Sequence, residues 1–265
     1  MKRLTPLKEL ISLSGKRTLI TGAAAGIGRA MAIRFAEAGS DLQLVDIDGK
    51  KLTSLKKDLS DLKSQVGTFE VDISKKEEIE SLWEKLHGIE PDILINNAGI
   101  YPFKKFLEIN RDFLTKVMDI NLYSVVTMCQ HMITRRMHKG GIIINIGSIE
   151  AIMPFAEDLI PYDLSKIGVI ALTRSLAKEY GRHGFRINAI IPGGIVTPGT
   201  KAVAKRLAHF NTDLIKTGIE FKMRLPLNRG GQPDEVALIA LVLATDLSSY
   251  VQGALIPVDG GFLSA

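Results

Sequence analysis

The chain has 265 residues, 46% of them hydrophobic and 24% charged, which suits a protein with one large core and excludes a disordered, collagenous or repetitive polymer. The net charge is +5 and the sequence pI is near 9.2, yet Lys and Arg form only short runs such as Lys56-Lys57, Lys75-Lys76 and Arg135-Arg136. Such runs describe solvated helix faces rather than a nucleic-acid surface, and a single cysteine, Cys129, rules out an intrachain disulfide or a cysteine-based metal site.

Residues 1–14 read as an N-terminal extension, in which Lys8 and Glu9 interrupt the apolar residues before any signal-like run develops. No stretch approaches the ~20 apolar residues of a membrane span, so the expectation is a soluble, cytoplasmic chain without a membrane partner. From residue 15 to 265 no Pro/Gly/Ser-rich linker or shift in composition divides the chain. Short runs rich in Ile, Val and Leu at 17–21, 41–46, 67–71, 92–96, 141–146, 186–191 and 255–258 have little polar alternation, as strands buried on both faces do. Helical periodicity occupies 27–38, 75–87, 111–137, 165–180 and 233–244. Strand and helix alternating from end to end predict an α/β fold, a single doubly wound domain of about seven parallel strands with helices on both faces. The least regular stretch, 197–231, is expected to form a substrate lid. Helices 111–137 and 165–180 are apolar nearly all round, more than one sheet face needs, which predicts a homo-oligomer, a dimer or a tetramer.

Directly after the first strand, Gly22-Ala23-Ala24-Ala25-Gly26-Ile27-Gly28 leads into a helix. Glycines there allow a tight turn, close backbone approach to a pyrophosphate and tight helix–strand packing, while the helix N-terminus offers free N–H groups to the anion. Asp46 ends the second strand about 20 residues later, where an acidic side chain meets the adenosine ribose hydroxyls and repels a 2′-phosphate. This favours NAD over NADP, although a turn or helix cap is the plainer role for such a residue. Asp72-Ile73 and Asn96-Asn97-Ala98-Gly99 end the third and fourth strands, on the rim where open α/β sheets bind ligands.

Tyr162 and Lys166 stand at i and i+4 of a helix, on one face. A free phenol, with a pKa near ~10, is a poor base at neutral pH, and a nearby ammonium is expected to lower it. With Thr21-Gly22-x-x-x-Gly26-Ile27-Gly28, Asn96-Asn97-Ala98-Gly99, Asn121, Ser148, Tyr162-x-x-x-Lys166, Pro192-Gly193 and Val258-Asp259-Gly260-Gly261 in this order, the chain closely resembles the short-chain dehydrogenase/reductase family over residues 13–262. The resemblance implies a Rossmann-type dinucleotide fold and a catalytic set of Asn121, Ser148, Tyr162 and Lys166. Tyr162 would exchange the substrate hydroxyl proton, and Ser148 would hydrogen-bond the substrate oxygen. Lys166 would hold the nicotinamide ribose and tune Tyr162, while Asn121 would anchor a water leading protons to solvent. Ile195 and Thr197 match positions touching the nicotinamide. Singly, Asn121 reads as a satisfied helix polar group, Ser148 as a turn cap and Lys166 as a solvated ammonium; in order and together, the functional reading prevails.

Two departures stand out. Ser148 to Tyr162 is one residue longer than the family pattern, offset by a short Lys139-Gly140-Gly141 turn, and Glu150, Glu157 and Asp158 make that segment acidic. Pro161 is expected to hold its neighbour extended. The five histidines form no ligand motif, so no metal is expected. The function read from the residues and the resemblance is NAD(H)-dependent oxidation or reduction of a small secondary alcohol or ketone, such as a polyol or sugar. A 3-oxoacyl thioester reductase is the enzymatic alternative, and a dinucleotide-sensing binding protein the non-enzymatic one.

Overall fold

The computed structural model describes residues 4–200 and 220–265; residues 1–3 of the expected extension and 201–219 of the expected lid lie outside the described residues. The elements run in the order α1 (Leu7–Leu10), β1 (Arg17–Thr21), α2 (Gly26–Glu37), β2 (Asp41–Asp46), α3 (Gly49–Asp58), β3 (Val66–Glu70), α4 (Lys76–Lys85) and β4 (Ile93–Asn96). They continue with α5 (Arg111–Met118), α6 (Ser124–Arg136), β5 (Gly141–Ile146), α7 (Ile160–Tyr180), β6 (Phe185–Pro192), α8 (Pro233–Ala244) and β7 (Leu255–Val258). All seven strands pair in parallel in one sheet of order β3-β2-β1-β4-β5-β6-β7.

Why these strands carry continuous apolar runs is visible in their alternation. Ile20, Leu44, Ile95, Ile144 and Ile190 point to one face, where Met31 and Phe35 of α2, Leu52 and Leu55 of α3 and Val236 and Ala240 of α8 cover them. Leu19, Val45, Leu94, Ile143 and Ile187 point to the other, against Leu82 and Trp83 of α4, Met128 and Met132 of α6 and Val169 of α7. Each Leu, Ile or Phe so enclosed contributes roughly 1.5–3 kcal/mol relative to exposure. Cys129 is buried within the second of these layers, the small apolar role expected of it. No helix among the described residues is long and apolar enough to cross a membrane.

Three local differences from the sequence reading have physical causes. The predicted helix 111–137 is interrupted by a π-helical turn, Asp119–Tyr123, whose extra residue re-aims Asn121 into the core. Helix α3 escaped notice because its ten residues are mostly polar and bury only Leu52 and Leu55. Helix α7 begins at Ile160 rather than Ser165, with Pro161 inside its first turn. Pro161 therefore does not hold Ile160 extended: a proline N has no hydrogen to donate, and the first helical turn needs none. The strand order reverses between β1 and β4, so their carboxyl ends open the crevice that holds the site.

Candidate active site

The turn after β1 is built for close approach. Gly22 has φ +65°, and a Cβ there would stand 2.8 Å from Ala98 Cα; Gly26 has φ +55°. A Cβ on Gly28 would stand 2.1 Å from the Gly22 carbonyl oxygen and 2.6 Å from Asn97 Nδ2. Asn97 itself clamps the turn, its Nδ2 donating to the Thr21 and Gly22 carbonyls at 2.9 and 3.1 Å. Ala25 at the start of α2 supplies no side-chain cap, leaving the first amides of a twelve-residue helix without a side-chain acceptor. A helix N-terminus without such a cap, behind a turn with no room for side chains, fits a dinucleotide pyrophosphate.

Asp46 braces the turn with both carboxylate oxygens. Its Oδ2 accepts from Ala24 N at 2.9 Å and its Oδ1 from Asp48 N at 3.0 Å, so the carboxylate braces the glycine-rich segment and retains lone pairs toward the rim. The plainer turn role is thus present, and it fixes the orientation a ribose contact would need. Lys51, at the start of α3, is bound to Asp48 at 2.6 Å. Asp72 Oδ1 accepts from both the amide and the hydroxyl of Ser74, and these bonds hold its carboxyl below its ordinary range. Asp72 and Ile73 follow β3 on the same edge of the sheet.

A cleft of about 320 Å³ opens beside this turn. Its lining draws on the segments after β1 and β4 (Ile27, Asn97 and Gly99), on Ser148 after β5 with Tyr162 and Lys166 of α7, and on the end of β6 and its loop (Pro192, Gly193, Ile195 and Thr197). Most of the residues singled out in the sequence for the nicotinamide end therefore share one cavity. Asn121 lies just behind it, fully buried, with Oδ1 accepting from Ile100 N and Nδ2 donating to Ile100 O, each at 2.8 Å. Nδ2 also donates to Ser165 Oγ at 3.1 Å, which ties the segment after β4 to helix α7. Ala98 N donates to Thr21 Oγ1 at 3.1 Å, joining the carboxyl ends of β1 and β4.

Burial dominates the electrostatics of the pair on α7. Burial pushes the Tyr162 phenol up to about 12, opposed only by its hydrogen bond with Ser148, and pushes the Lys166 ammonium down to about 8. Lys166 itself is held by a backbone carbonyl. Its Nζ donates to the Ile146 carbonyl at 2.8 Å and sits 5.8 Å from the phenol ring centroid, and both groups lose solvation when the cleft walls close over them. A phenolate in this cleft needs a further positive charge close by.

Sequence reasoning passed over three residues of this site. Tyr101 packs edge-on against Tyr162 with ring centroids 6.1 Å apart. Phe221 lies over Gly194, where a Cβ would stand 2.4 Å from the Phe221 ring. Asp163, next to Tyr162, has a buried Oδ1 without a partner among the described residues, and burial together with the Glu150 charge pushes its carboxyl up to about 7. No spacing motif marks any of them.

Asp163 has a consequence for stability. Between its ordinary value of 3.8 and about 7 the folded chain keeps a proton that the unfolded chain has released, so stability falls as pH rises through that window. Since the side chain is only partly buried, the effect is discounted to on the order of 1 kcal/mol. Asp163→Asn should therefore melt about 2–4 °C above the parent at pH 8 and together with it near pH 4, in paired thermal scans. An unchanged difference at both pH values would show that Asp163 does not titrate in this window.

Comparison with known proteins agrees with this geometry. A family model described as enoyl-(acyl carrier protein) reductase matches residues 22–263. The 3-oxoacyl-[acyl-carrier-protein] reductase of Thermotoga maritima is 34% identical, covering 95% of this chain and 99% of its own length. The 2-dehydro-3-deoxy-D-gluconate 5-dehydrogenase of Bacillus subtilis is 37% identical, over 97% and 98% of the two chains. The NAD-dependent glycerol dehydrogenase of Listeria innocua is 33% identical over 95% of each. Among solved structures, a short-chain type dehydrogenase/reductase from Mycobacterium marinum superposes with a TM-score of 0.88 at 27% identity, over 97% of this chain and 99% of that one. A Beutenbergia cavernae structure assigned as an NAD(P)-dependent gluconate 5-dehydrogenase, with NADP bound at low occupancy, has a TM-score of 0.88 at 29% identity, over 97% and 100%.

Proposed function

The chain belongs to the short-chain dehydrogenase/reductase family and is an oxidoreductase; from that premise we propose that it moves a hydride between NAD(H) and a small secondary alcohol or ketone, with Tyr162 as acid/base. The observation that carries the reading is the meeting of Ser148, Tyr162 and Lys166 in one cleft that Ile27, from the first turn of α2, also lines.

When bound, oxidised nicotinamide supplies the hydride acceptor and a positive charge. Tyr162 takes the hydroxyl proton, and that nearby positive charge offsets the burial that holds its phenol high. Ser148 donates to the substrate oxygen and steadies the charge that develops there. Lys166, anchored on the Ile146 carbonyl, turns its remaining N–H groups toward the nicotinamide ribose. Asn121 positions the Ile100 segment and, within its π turn, supports the proton path behind Lys166. Gly22, Gly26, Ile27 and Gly28 line the pyrophosphate, and Asp46, Asp72 and Ile73 the adenosine end. Asn97, Ala98, Gly99, Pro192, Gly193, Ile195 and Thr197 enclose the nicotinamide half.

A carboxylate at Asp46 repels a 2′-phosphate, and a like-charge contact of this kind costs several kcal/mol. NADH should therefore be preferred to NADPH by about 100-fold or more in kcat/KM. Asp46→Asn keeps a carbonyl oxygen for one of the two turn amides while removing the charge, and should shrink that preference to within about 10-fold. Steady-state comparison of the two nicotinamides checks both. A parent enzyme that prefers NADPH overturns the cofactor assignment and returns weight to the acyl-thioester alternative.

The described chain also carries an apolar stripe at Ile160, Leu164 and Ile167 of α7, each 41–55% exposed, beside Tyr123 at 53%. This stripe supports a homo-oligomer, with a second copy covering that face. Residues 15–265 then act as one catalytic domain.

A further inference from the structure

The substrate end of the cleft carries a carboxylate that proton and hydride transfer do not use. Glu150 lines the cavity two residues after Ser148. Its Oε2 accepts from Phe155 N at 2.8 Å and Ala156 N at 3.4 Å, so the side chain is pinned by its own loop instead of swinging into solvent. It shares that lining with Ser148 and Tyr162, the side chains proposed to face the reacting oxygen. Burial raises its carboxyl, with those two amides pulling it back down. In the same wall stands Tyr101, whose buried hydroxyl has no partner among the described residues. The rest of the substrate end is apolar, formed by Phe103, Ala156, Leu159 and Phe221.

A carboxylate oriented by backbone amides keeps its second oxygen as an acceptor, and a phenol can both donate and accept. An orphaned hydroxyl in a ligand cleft is satisfied when a ligand brings a polar partner. We propose that Glu150 and Tyr101 are specificity-determining residues, which recognise a hydroxyl on the carbon beside the reacting one and turn away substrates carrying a carboxylate there. The substrate is then a neutral polyol or the corresponding hydroxyketone. The proposal rests on the oxidoreductase reading above and narrows it: a gluconate-type acid would bring its anion toward Glu150, and a long acyl chain would leave Glu150 and Tyr101 unmatched.

The test uses linear polyols from glycerol to sorbitol and the matching aldonic acids, assayed with the full-length enzyme and NAD+. The parent should favour the best polyol over its acid by about 100-fold in kcat/KM. Glu150→Gln keeps a carbonyl acceptor for the Phe155 and Ala156 amides, so its melting temperature should stay near the parent's. It should cut kcat/KM for the polyol by about 10–100-fold, mainly through KM, and raise that for the acid by about 10-fold. Tyr101→Phe should lower the polyol value alone, by about 5–10-fold. Calorimetric titration of the same compounds onto the enzyme with NADH gives the same preference without turnover. Equal use of acid and polyol by the parent, or a polyol-to-acid ratio unmoved by Glu150→Gln, in either assay, overturns the proposal. Polyol binding that Glu150→Gln weakens, without turnover of any alcohol or ketone, would keep the proposal and sink the oxidoreductase reading instead.

Discussion

Tyr162→Phe should lower kcat by about 1,000-fold while leaving the dissociation constant for NADH within about two-fold of the parent, since acid/base groups of this kind contribute roughly 10²–10⁴. The substitution removes one oxygen and nothing else. The ring keeps its edge-on contact with Tyr101, and helix α7 keeps Lys166 on the Ile146 carbonyl. Ser148 loses its hydrogen-bonding partner, yet the buried phenol's solvation cost disappears with it, so the melting temperature should hold or rise slightly. NADH fluorescence titration and steady-state assay of the same preparation separate binding from chemistry. Activity above one-tenth of the parent's would remove Tyr162 from the role given to it here.

Gly28→Ala should abolish dinucleotide binding outright. The added Cβ would fall 2.1 Å from the Gly22 carbonyl and 2.6 Å from Asn97 Nδ2, and neither can yield cheaply. The carbonyl belongs to a residue already held at φ +65°, and Asn97 Nδ2 is committed to two carbonyls of the same turn. The first turn of α2 must then move away from the end of β1, taking with it the amides that face the pyrophosphate. Overpacking of this kind typically costs about 1–3 kcal/mol in stability. The fold should survive that loss, because the sheet beneath is buried on both faces. The expected result is a folded protein, by circular dichroism, whose NADH affinity has fallen by more than about 100-fold, equivalent to some 2.7 kcal/mol. Affinity kept within about five-fold would show that the turn does not cradle the cofactor.

Most of the fold was legible because a parallel sheet covered on both faces must spend nearly every strand position on apolar side chains. Four of the seven strands match their expected limits to the residue, and the others shift by one. The residues of the cleft were legible too, as short motifs at the carboxyl ends of strands, where backbone turns demand glycine and asparagine. Helix α3 was not, since Leu52 and Leu55 alone are too sparse a stripe among lysines and polar groups to set a period. Nor was the π turn at Asn121, whose one-residue slip leaves the hydrophobic pattern on either side intact. The burial of the pair on α7 was not legible either. Spacing on a helix shows that Tyr162 and Lys166 share a face, but only packing shows that both are stripped of water and that Lys166 already has a carbonyl partner. The same holds for Glu150, whose sequence signal is a single acidic residue and whose significance lies in the two amides that hold it.

The proposed reaction delivers a hydride across the cleft to a carbon whose oxygen faces Ser148 and Tyr162. Its most direct test is reduction of a hydroxyketone with NADH deuterated on the transferring face of its nicotinamide ring, followed by mass spectrometry of the alcohol and comparison with Tyr162→Phe. One deuterium on the new carbinol carbon, with the rate of its arrival falling about 1,000-fold in the variant, is the predicted result. Label lost to solvent, or transfer as fast without the phenol as with it, would contradict it.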